Sequence, residues 1–296
     1  ELLEMPDEDN EATEDNPNRA PDGKFTSDGG DQTGGGSDKP DNQDQNTPLT
    51  QGNKKHSVKP ETRQKFDSFV EQQKRDTKPK PSEIEKNKKV ESSVIDGINE
   101  YVKNKPYGDK VKFVETQGSF AKGTDLAGSS DIDIFVAFDY DVDIEDIKKY
   151  SIDLAEDVLK PLSDEGSYQL MTGPDSKKYG ESNVDGVEVQ ILGITDVSLD
   201  QVKNGFEENG MKTGNDRSPH HTKYMKEALK GKEDEVRTLK RFLKDAQVYD
   251  ASQEKQGFSG FSTEVLIDKF DTFENVLEYF ANFEKGSTVG DYKGKG

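Results

Sequence analysis

Apolar residues are sparse and irregular over the first 58 positions and recur with regular spacing after them. The early segment carries Asp, Asn, Gly, Pro and Gln in no periodic order, so it buries too little apolar surface to offset the entropy of ordering. We predict a disordered acidic tail over 1–58. The remaining length fits two modest domains, a catalytic domain at 59–205 and a helical domain at 206–290, with a disordered end at 291–296.

The regular pattern begins with two helices. A short amphipathic helix is predicted around Phe66 and Val70, which are four positions apart. Ser82 and Glu85 form a capping-box signal for the start of a second helix. The apolar stripe of this second helix consists of Ile84, Val90, Val94, Ile95, Ile98 and Tyr101.

Strands and helices then alternate, and the last part of the chain is helical in pattern. Strands are predicted at 111–114, 131–138, 168–171 and 184–194, and helices at 144–162 and from His220 onward, with an interruption at 258–260. This order predicts an α+β fold: a small sheet with helices on one face, followed by a helical domain.

Composition narrows the functional classes. Asp and Glu total 61 against 41 Lys and Arg, a net charge of -20, which disfavours nucleic-acid binding over the whole surface but leaves a local basic patch open. The absence of cysteine excludes disulfides and Cys-ligated zinc. No apolar run of about 18 residues and no basic-then-apolar amino terminus occur, so we predict no membrane span, no secretion and a cytoplasmic location. A first residue of Glu1 is what a fragment or a processed product would show.

The most informative stretch runs from Gly118 to Phe135. Gly118 and Ser119 open a turn into a short helix, where a glycine permits close backbone approach to a phosphate and a serine can donate a hydrogen bond to it. Asp131 and Asp133 follow within an apolar strand, and side chains at i and i+2 leave the same face. Two such carboxylates can bridge two divalent cations for in-line attack of a hydroxyl on a nucleotide phosphate. The stretch resembles the signature of the polymerase-beta-type nucleotidyltransferases.

A wider resemblance covers residues 60–285. The blocks that carry it are Asp216-Arg217-Ser218-Pro219-His220-His221, the segment 232–244, Val248-Tyr249 and Gly257-Phe258-Ser259-Gly260-Phe261. In order and spacing they are similar to the archaeal-type (class I) CCA-adding tRNA nucleotidyltransferases. The resemblance implies that His221, Lys240 and Tyr249 bind the triphosphate. The resemblance also assigns Lys122 to the nucleotide. Lys122 falls where that family usually has arginine, and lysine keeps the charge but loses the planar fork.

One position departs from that family. The strand Val187–Leu192 lies where the family carries a third carboxylate, and that position here is Gln190. An amide oxygen can coordinate a cation, but it has no charge and takes no proton. Glu188 lies on the same face, roughly 6–7 Å along the strand, and the interpretation we favour for it is a solvent-facing strand residue. A substitute third acid at Glu188 stays open.

The resemblance implies one activity, and two alternative functions stay open beside it. Two Mg²⁺ ions on Asp131 and Asp133 would promote transfer of CMP or AMP from CTP or ATP to the 3′ end of an RNA, with the triphosphate in a cleft between the two domains. The chain ends at Gly296, before the domains with which the family holds the tRNA acceptor stem, so tRNA rests on resemblance. Gln190 leaves open a nucleotide-binding module with impaired catalysis. A nucleotidyltransferase acting on a protein hydroxyl or a second nucleotide is also open, and the oligomeric state is not indicated.

Overall fold

The computed structural model describes residues 59–129, 131–172, 178–250, 252 and 257–282. The two segments predicted to be disordered, 1–58 and 291–296, lie outside them. The described residues from Lys65 onward belong to one unit. In the described part of the chain no helix has the length and apolar character needed to cross a bilayer.

Five strands form a mixed sheet in the order β1-β2-β5-β4-β3. Their bounds are β1 Val111–Gln117, β2 Asp131–Phe138, β3 Gln169–Thr172, β4 Lys178–Val184 and β5 Val187–Thr195. The central strands β2 and β5 run parallel, whereas the other neighbouring pairs are antiparallel. The predicted α+β class is confirmed.

The hairpin of β4 and β5 corrects one prediction. A single strand was expected at 184–194, but Val184 ends β4 and Val187 begins β5. Asp185 and Gly186 between them both have positive φ, 51° and 66°. Two positive φ values in a two-residue loop suit a tight hairpin, and Asp-Gly is a preferred pair for it. The chain therefore gains a strand, and with it the side chains of β4.

Helix α2, Pro81–Lys103, supplies one side of the sheet core but starts differently from the prediction. Lys80 is the N-cap and Pro81 occupies the first turn, so Ser82 already lies inside the helix and caps nothing. Proline suits that position because its missing N–H would have no helical partner. Val90, Val94 and Ile98 of the expected stripe are buried in the same cluster as the apolar residues of β2 and β5.

Helix α4, Ile144–Leu154, continues through a π-helical turn at Ala155–Leu159 into the short α5, Lys160–Leu162. The predicted helix at 144–162 is therefore continuous. Ile147, Leu154 and Leu159 join the sheet core. Ile132 and Ile134 of β2 point into that core, so Asp131 and Asp133, which alternate with them, face the other side of the sheet.

The remaining described elements are helical. The α-helices are α1 Pro60–Thr77, α3 Gly118–Lys122, α6 Leu199–Lys203, α7 Ser218–Ala228, α8 Glu233–Asp245, α9 Gly260–Phe270 and α10 Phe273–Ala281, and two short 3₁₀ helices lie at Gly108–Lys110 and Gly214–Arg217. A second apolar core joins α7, α8, α9 and α10, and Phe66 of α1 stacks on Phe273 with ring centroids 6.4 Å apart. Ser259 caps α9 where the interruption was expected. The division into domains at 205/206 stays a prediction.

Candidate active site on the β2–β5 edge

Asp131 and Asp133 lie side by side with two polar residues of β5. The parallel register pairs Asp131 with Glu188 and Asp133 with Gln190. Paired residues of neighbouring strands point to the same face of a sheet. The structure thus brings together the carboxylates predicted to hold metal and the residue predicted at the third position. Their catalytic roles stay predictions.

Gly118 approaches the Asp133 carboxylate directly. Its φ is +70°, and a β-carbon on it would overlap Asp133 Oδ2. A positive φ already favours glycine, and here the space for a side chain is also filled. The start of α3, with Ser119 as its second residue, is therefore held against β2 beside the carboxylates.

Gln190 makes its contacts with two glutamates. Its Nε2 donates to Glu181 Oε2 at 3.0 Å and to Glu188 Oε1 at 3.4 Å. Glu181 is the β4 residue opposite Gln190, and sequence analysis missed it because β4 was not predicted. Glu188 is partly buried between its neighbours on β2 and β4, and its interpretation as a solvent-facing strand residue stays a prediction. Two carboxyl groups therefore flank the neutral amide.

The pKa values of the carboxyl groups in this patch are raised, because several of them lie close together and partly out of water. Burial and the neighbouring Asp131 raise the pKa of Asp133 to about 6, against the opposing effect of Lys122. Partial desolvation and Glu188 raise the pKa of Asp131, whose side chain is more exposed. Desolvation and Glu188 also raise the pKa of Glu181. Carboxylates that are costly to ionise together gain most from a bound cation.

The donor set fits a hard divalent cation. Each polar side chain on β2, β4 and β5 in this patch offers an oxygen atom, the ligand type preferred by Mg²⁺: Asp131, Asp133, Glu181, Glu188 and Gln190. The described residues contain no group of three or more His, Cys, Asp or Glu side chains already gathered as for a metal ion. The binding of such an ion by Asp131 and Asp133 stays a prediction.

Lys122 and Lys240, predicted to bind the triphosphate, meet at one buried carboxylate. Glu264 Oε2 lies 2.7 Å from Lys122 Nζ, and Glu264 Oε1 lies 3.7 Å from Lys240 Nζ. Lys240 Nζ also donates to the carbonyl oxygen of Thr124 at 3.1 Å. Helices α3, α8 and α9 converge at this point. Glu264 and Thr124 were not identified from the sequence, because their contact joins two positions that lie 140 residues apart in the chain.

His221 lies in the same region. Its ring stacks on Phe261, with centroids 4.2 Å apart and planes 11° from parallel. Burial, with Arg217 and Lys122 nearby, lowers the pKa of His221 to about 4, so the ring is neutral at physiological pH. Its buried Nε2 has no hydrogen-bond partner within the described residues. A neutral imidazole can still offer one N–H to a phosphate oxygen.

Tyr249 completes the predicted set. Its hydroxyl lies close to Gly260, where an added β-carbon would be 3.1 Å away. Burial raises the pKa of Tyr249, with Glu264 and Asp131 as further causes. The Tyr249 hydroxyl is therefore close enough to be affected both by Asp131 on β2 and by Glu264, the partner of the two lysines.

Two family models match the chain. One is a nucleotidyltransferase domain, over residues 95–165, and the other is the second domain of a tRNA nucleotidyltransferase, over residues 234–295. The first covers Gly118 and both aspartates of β2. The second covers Lys240, Tyr249 and Glu264.

The chain is also similar to CCA-adding enzymes of archaea. That of Pyrococcus abyssi is 34% identical over 201 residues, which span 68% of this chain and 41% of the relative. That of Saccharolobus solfataricus is 37% identical over 198 residues, 66% of this chain and 42% of the relative. The chain thus spans about two fifths of the length of these relatives.

Proposed function

Because the chain belongs to the nucleotidyltransferase family that includes the archaeal CCA-adding enzymes, we propose that it adds CMP and AMP to the 3′ end of an RNA. The donors are CTP and ATP, and the acceptor is a tRNA that lacks its terminal CCA. The acceptor and the nucleotides are part of the proposal, since the chain spans only part of its relatives.

One observation carries the proposal. Asp131 and Asp133 project together from β2 at the point where Gly118 holds the start of α3 against Asp133. This arrangement places a carboxylate pair next to a helix start that can receive phosphate. Lys122, at the other end of the same five-residue helix, carries positive charge toward the α8 and α9 side.

The proposed chemistry divides between these groups. Mg²⁺ bound by Asp131 and Asp133 would neutralise charge on the phosphates and lower the pKa of the attacking hydroxyl. Lys122, Lys240, His221 and Tyr249 bind and orient the triphosphate, Lys240 as a point charge and the neutral His221 as a hydrogen-bond donor. The RNA 3′-hydroxyl releases its proton to solvent and its oxygen forms a bond to the α-phosphorus. The bond from the α-phosphorus to the α,β-bridging oxygen breaks, and pyrophosphate leaves.

Gln190 supports a second candidate, a nucleotide-binding module with slow transfer. Its amide cannot take the hydroxyl proton, and its Nε2 faces Glu181 and Glu188. In this alternative the residues that bind the triphosphate still function, but the third acidic position, Gln190, carries no charge. Glu181 and Glu188 are the nearby carboxylates that can supply the missing charge.

The test uses labelled CTP or ATP with Mg²⁺ and a tRNA without its terminal CCA. Extension of the RNA by the full chain, abolished by Asp133→Asn, supports transfer. Nucleotide binding by calorimetry without extension supports the binding module. If neither nucleotide binds, both candidates are wrong. A protein or a free nucleotide as acceptor in the same assay tests the remaining rival.

A further inference from the structure

We propose that Glu264 is a positioning residue, which holds the ammonium groups of Lys122 and Lys240 together at the triphosphate end of the site. The inference rests on the proposed function, since it assigns these lysines to the nucleotide. It adds a residue that contacts no substrate atom and acts through the two cations.

The contacts of Glu264 divide between its two oxygens. Oε2 pairs with Lys122 at 2.7 Å. Oε1 accepts a hydrogen bond from Thr124 Oγ1 at 2.8 Å and lies 3.7 Å from Lys240 Nζ. Lys240 also donates to Thr124, to its carbonyl at 3.1 Å and to Oγ1 at 3.3 Å. One carboxylate thus joins α9, α3 and α8 through named polar atoms.

Burial makes these contacts consequential. Glu264 is 1% exposed and Lys240 is 4% exposed. A charge removed from water this fully is costly unless it is paired and hydrogen-bonded. Two ammonium groups alone in that space would repel each other. With Glu264 between them the cluster keeps one net positive charge, which a polyphosphate can use.

The position of Glu264 is itself fixed. Ser259 caps α9, because its Oγ accepts from Ser262 N at 3.0 Å and the reciprocal bond from Ser259 N to Ser262 Oγ is 2.8 Å. Glu264 follows little more than one turn later, on the buried side with Thr263 and Ile267. The capped helix therefore presents a rigid carboxylate to the lysines.

Lys240 gives a readout that packing alone would not move. Burial lowers the pKa of Lys240 to about 8, and Glu264 opposes that decrease. The other charged groups that act on it are Lys122 on α3, which lowers its pKa, and Asp125 after α3, which raises it. Without Glu264 the pKa of Lys240 falls further, so the cation is lost at a lower pH.

The experiment measures binding of ATP, inorganic tripolyphosphate and AMP to the full chain by calorimetry, from about pH 7 to about pH 9.5. In the unmodified chain, affinity for ATP and tripolyphosphate should fall through about pH 8. Glu264→Gln should shift that fall by about one pH unit to lower pH, which weakens binding about threefold near pH 7.5 and about tenfold near pH 9, with AMP unchanged. Asp268→Asn is the matched control: it removes one carboxylate charge from the same helix, keeps an acceptor for Tyr224 and should leave the profile in place.

The outcomes separate the two proposals. Equal or tighter tripolyphosphate binding by Glu264→Gln overturns the positioning role, because loss of a mere nearby negative charge would favour an anion. Should Glu264→Gln not fold, Thr124→Val removes the hydroxyl between Glu264 and Lys240 while retaining every charge, and should weaken tripolyphosphate binding about threefold. No loss in that variant also overturns the inference. Failure of the unmodified chain to bind ATP or CTP contradicts the proposed function itself.

Discussion

Gly118 and Asp133 come so close that a β-carbon on the glycine would overlap the Oδ2 atom of the aspartate. The glycine belongs to the helix start predicted to receive phosphate, and the aspartate belongs to the strand predicted to hold metal. The turn predicted to bind phosphate and the strand predicted to bind metal are thus in direct contact, with no room between Gly118 and Asp133 for a methyl group.

Gly118→Ala should therefore lose both stability and nucleotide transfer. Gly123→Ala is the matched control, since Gly123 has a similar φ of +67° and nothing within 4 Å of an added β-carbon. The strained backbone alone should cost Gly123→Ala about 1–2 kcal/mol of unfolding free energy. Gly118→Ala should lose at least about 1–3 kcal/mol more from the overlap. Equal losses in urea unfolding would show that Asp133 moves aside freely.

The pKa of Asp133 predicts a pH dependence in metal-free protein. The folded-state value of about 6 lies above the unfolded value of about 3.9. The folded chain then binds the extra proton between those values, so stability falls as pH rises from about 4 to about 6. Asp133→Asn carries no charge at any pH, and at pH 7 with chelator it should be about 3 kcal/mol more stable than the unmodified chain.

Two comparisons check that result. Mg²⁺ should raise the melting temperature of the unmodified chain and leave Asp133→Asn unchanged. Asp139→Asn removes an equal charge just after β2, where a hydrogen bond from Lys112 lowers the pKa of the aspartate. That variant should not gain stability at pH 7. A gain in Asp139→Asn as well would assign the effect to net charge rather than to the site.

Gln190→Asp should accelerate transfer by about 10²-fold, through a charged ligand and a proton acceptor at the third position. Glu181 and Glu188 make the test more specific, because both contact Gln190. Single-turnover rates should be measured for Gln190→Asp, Glu181→Gln and Glu188→Gln. Activity that ignores Gln190→Asp and disappears in one glutamate variant would assign the third acid to that glutamate.

Lys240→Ala should weaken ATP binding by about 1.5–3 kcal/mol, the range for hydrogen bonds to charged groups. The fold should survive, because Glu264 retains its pair with Lys122. Arg241→Ala is the control on the next position of α8: its side chain is exposed and pairs with Asp245 at 3.1 Å. Calorimetry with Mg²⁺ present checks both. Identical affinities in the two variants would remove Lys240 from the site.

The spacing of neighbouring residues was enough to predict the elements whose formation depends mainly on nearby positions. β2 was found with its observed bounds, because Ile132 and Ile134 alternate with the aspartates and both enter the core, whereas Phe135 lies on the aspartate side and is half-buried. The break before α9 was likewise readable from its Gly-Phe-Ser-Gly block. The hairpin at Asp185 and Gly186 was missed although Asp-Gly is a turn signal, since the apolar residues on both sides read as one continuous strand.

The partners of the lysines could not be found in this way. Glu264 lies in a helix with Leu266 and Ile267, and nothing in its neighbourhood marks it as the counter-charge of Lys122 or of Lys240. Its contacts follow from tertiary packing of three helices. For the same reason Glu181 became visible only once β4 was paired with β5.

The sheet register has a consequence for how such a site can change. Gln117, Asp133, Gln190 and Glu181 occupy one row across four adjacent strands. The four positions lie on different strands, but each has the same extended backbone and its side chain points to the same face of the sheet. Exchanging an amide and an acid between two strands therefore relocates a ligand oxygen without refolding anything. The negative charge at such a site is therefore a property of all four positions together. Few substitutions separate an active transferase from a protein that binds nucleotide without turnover.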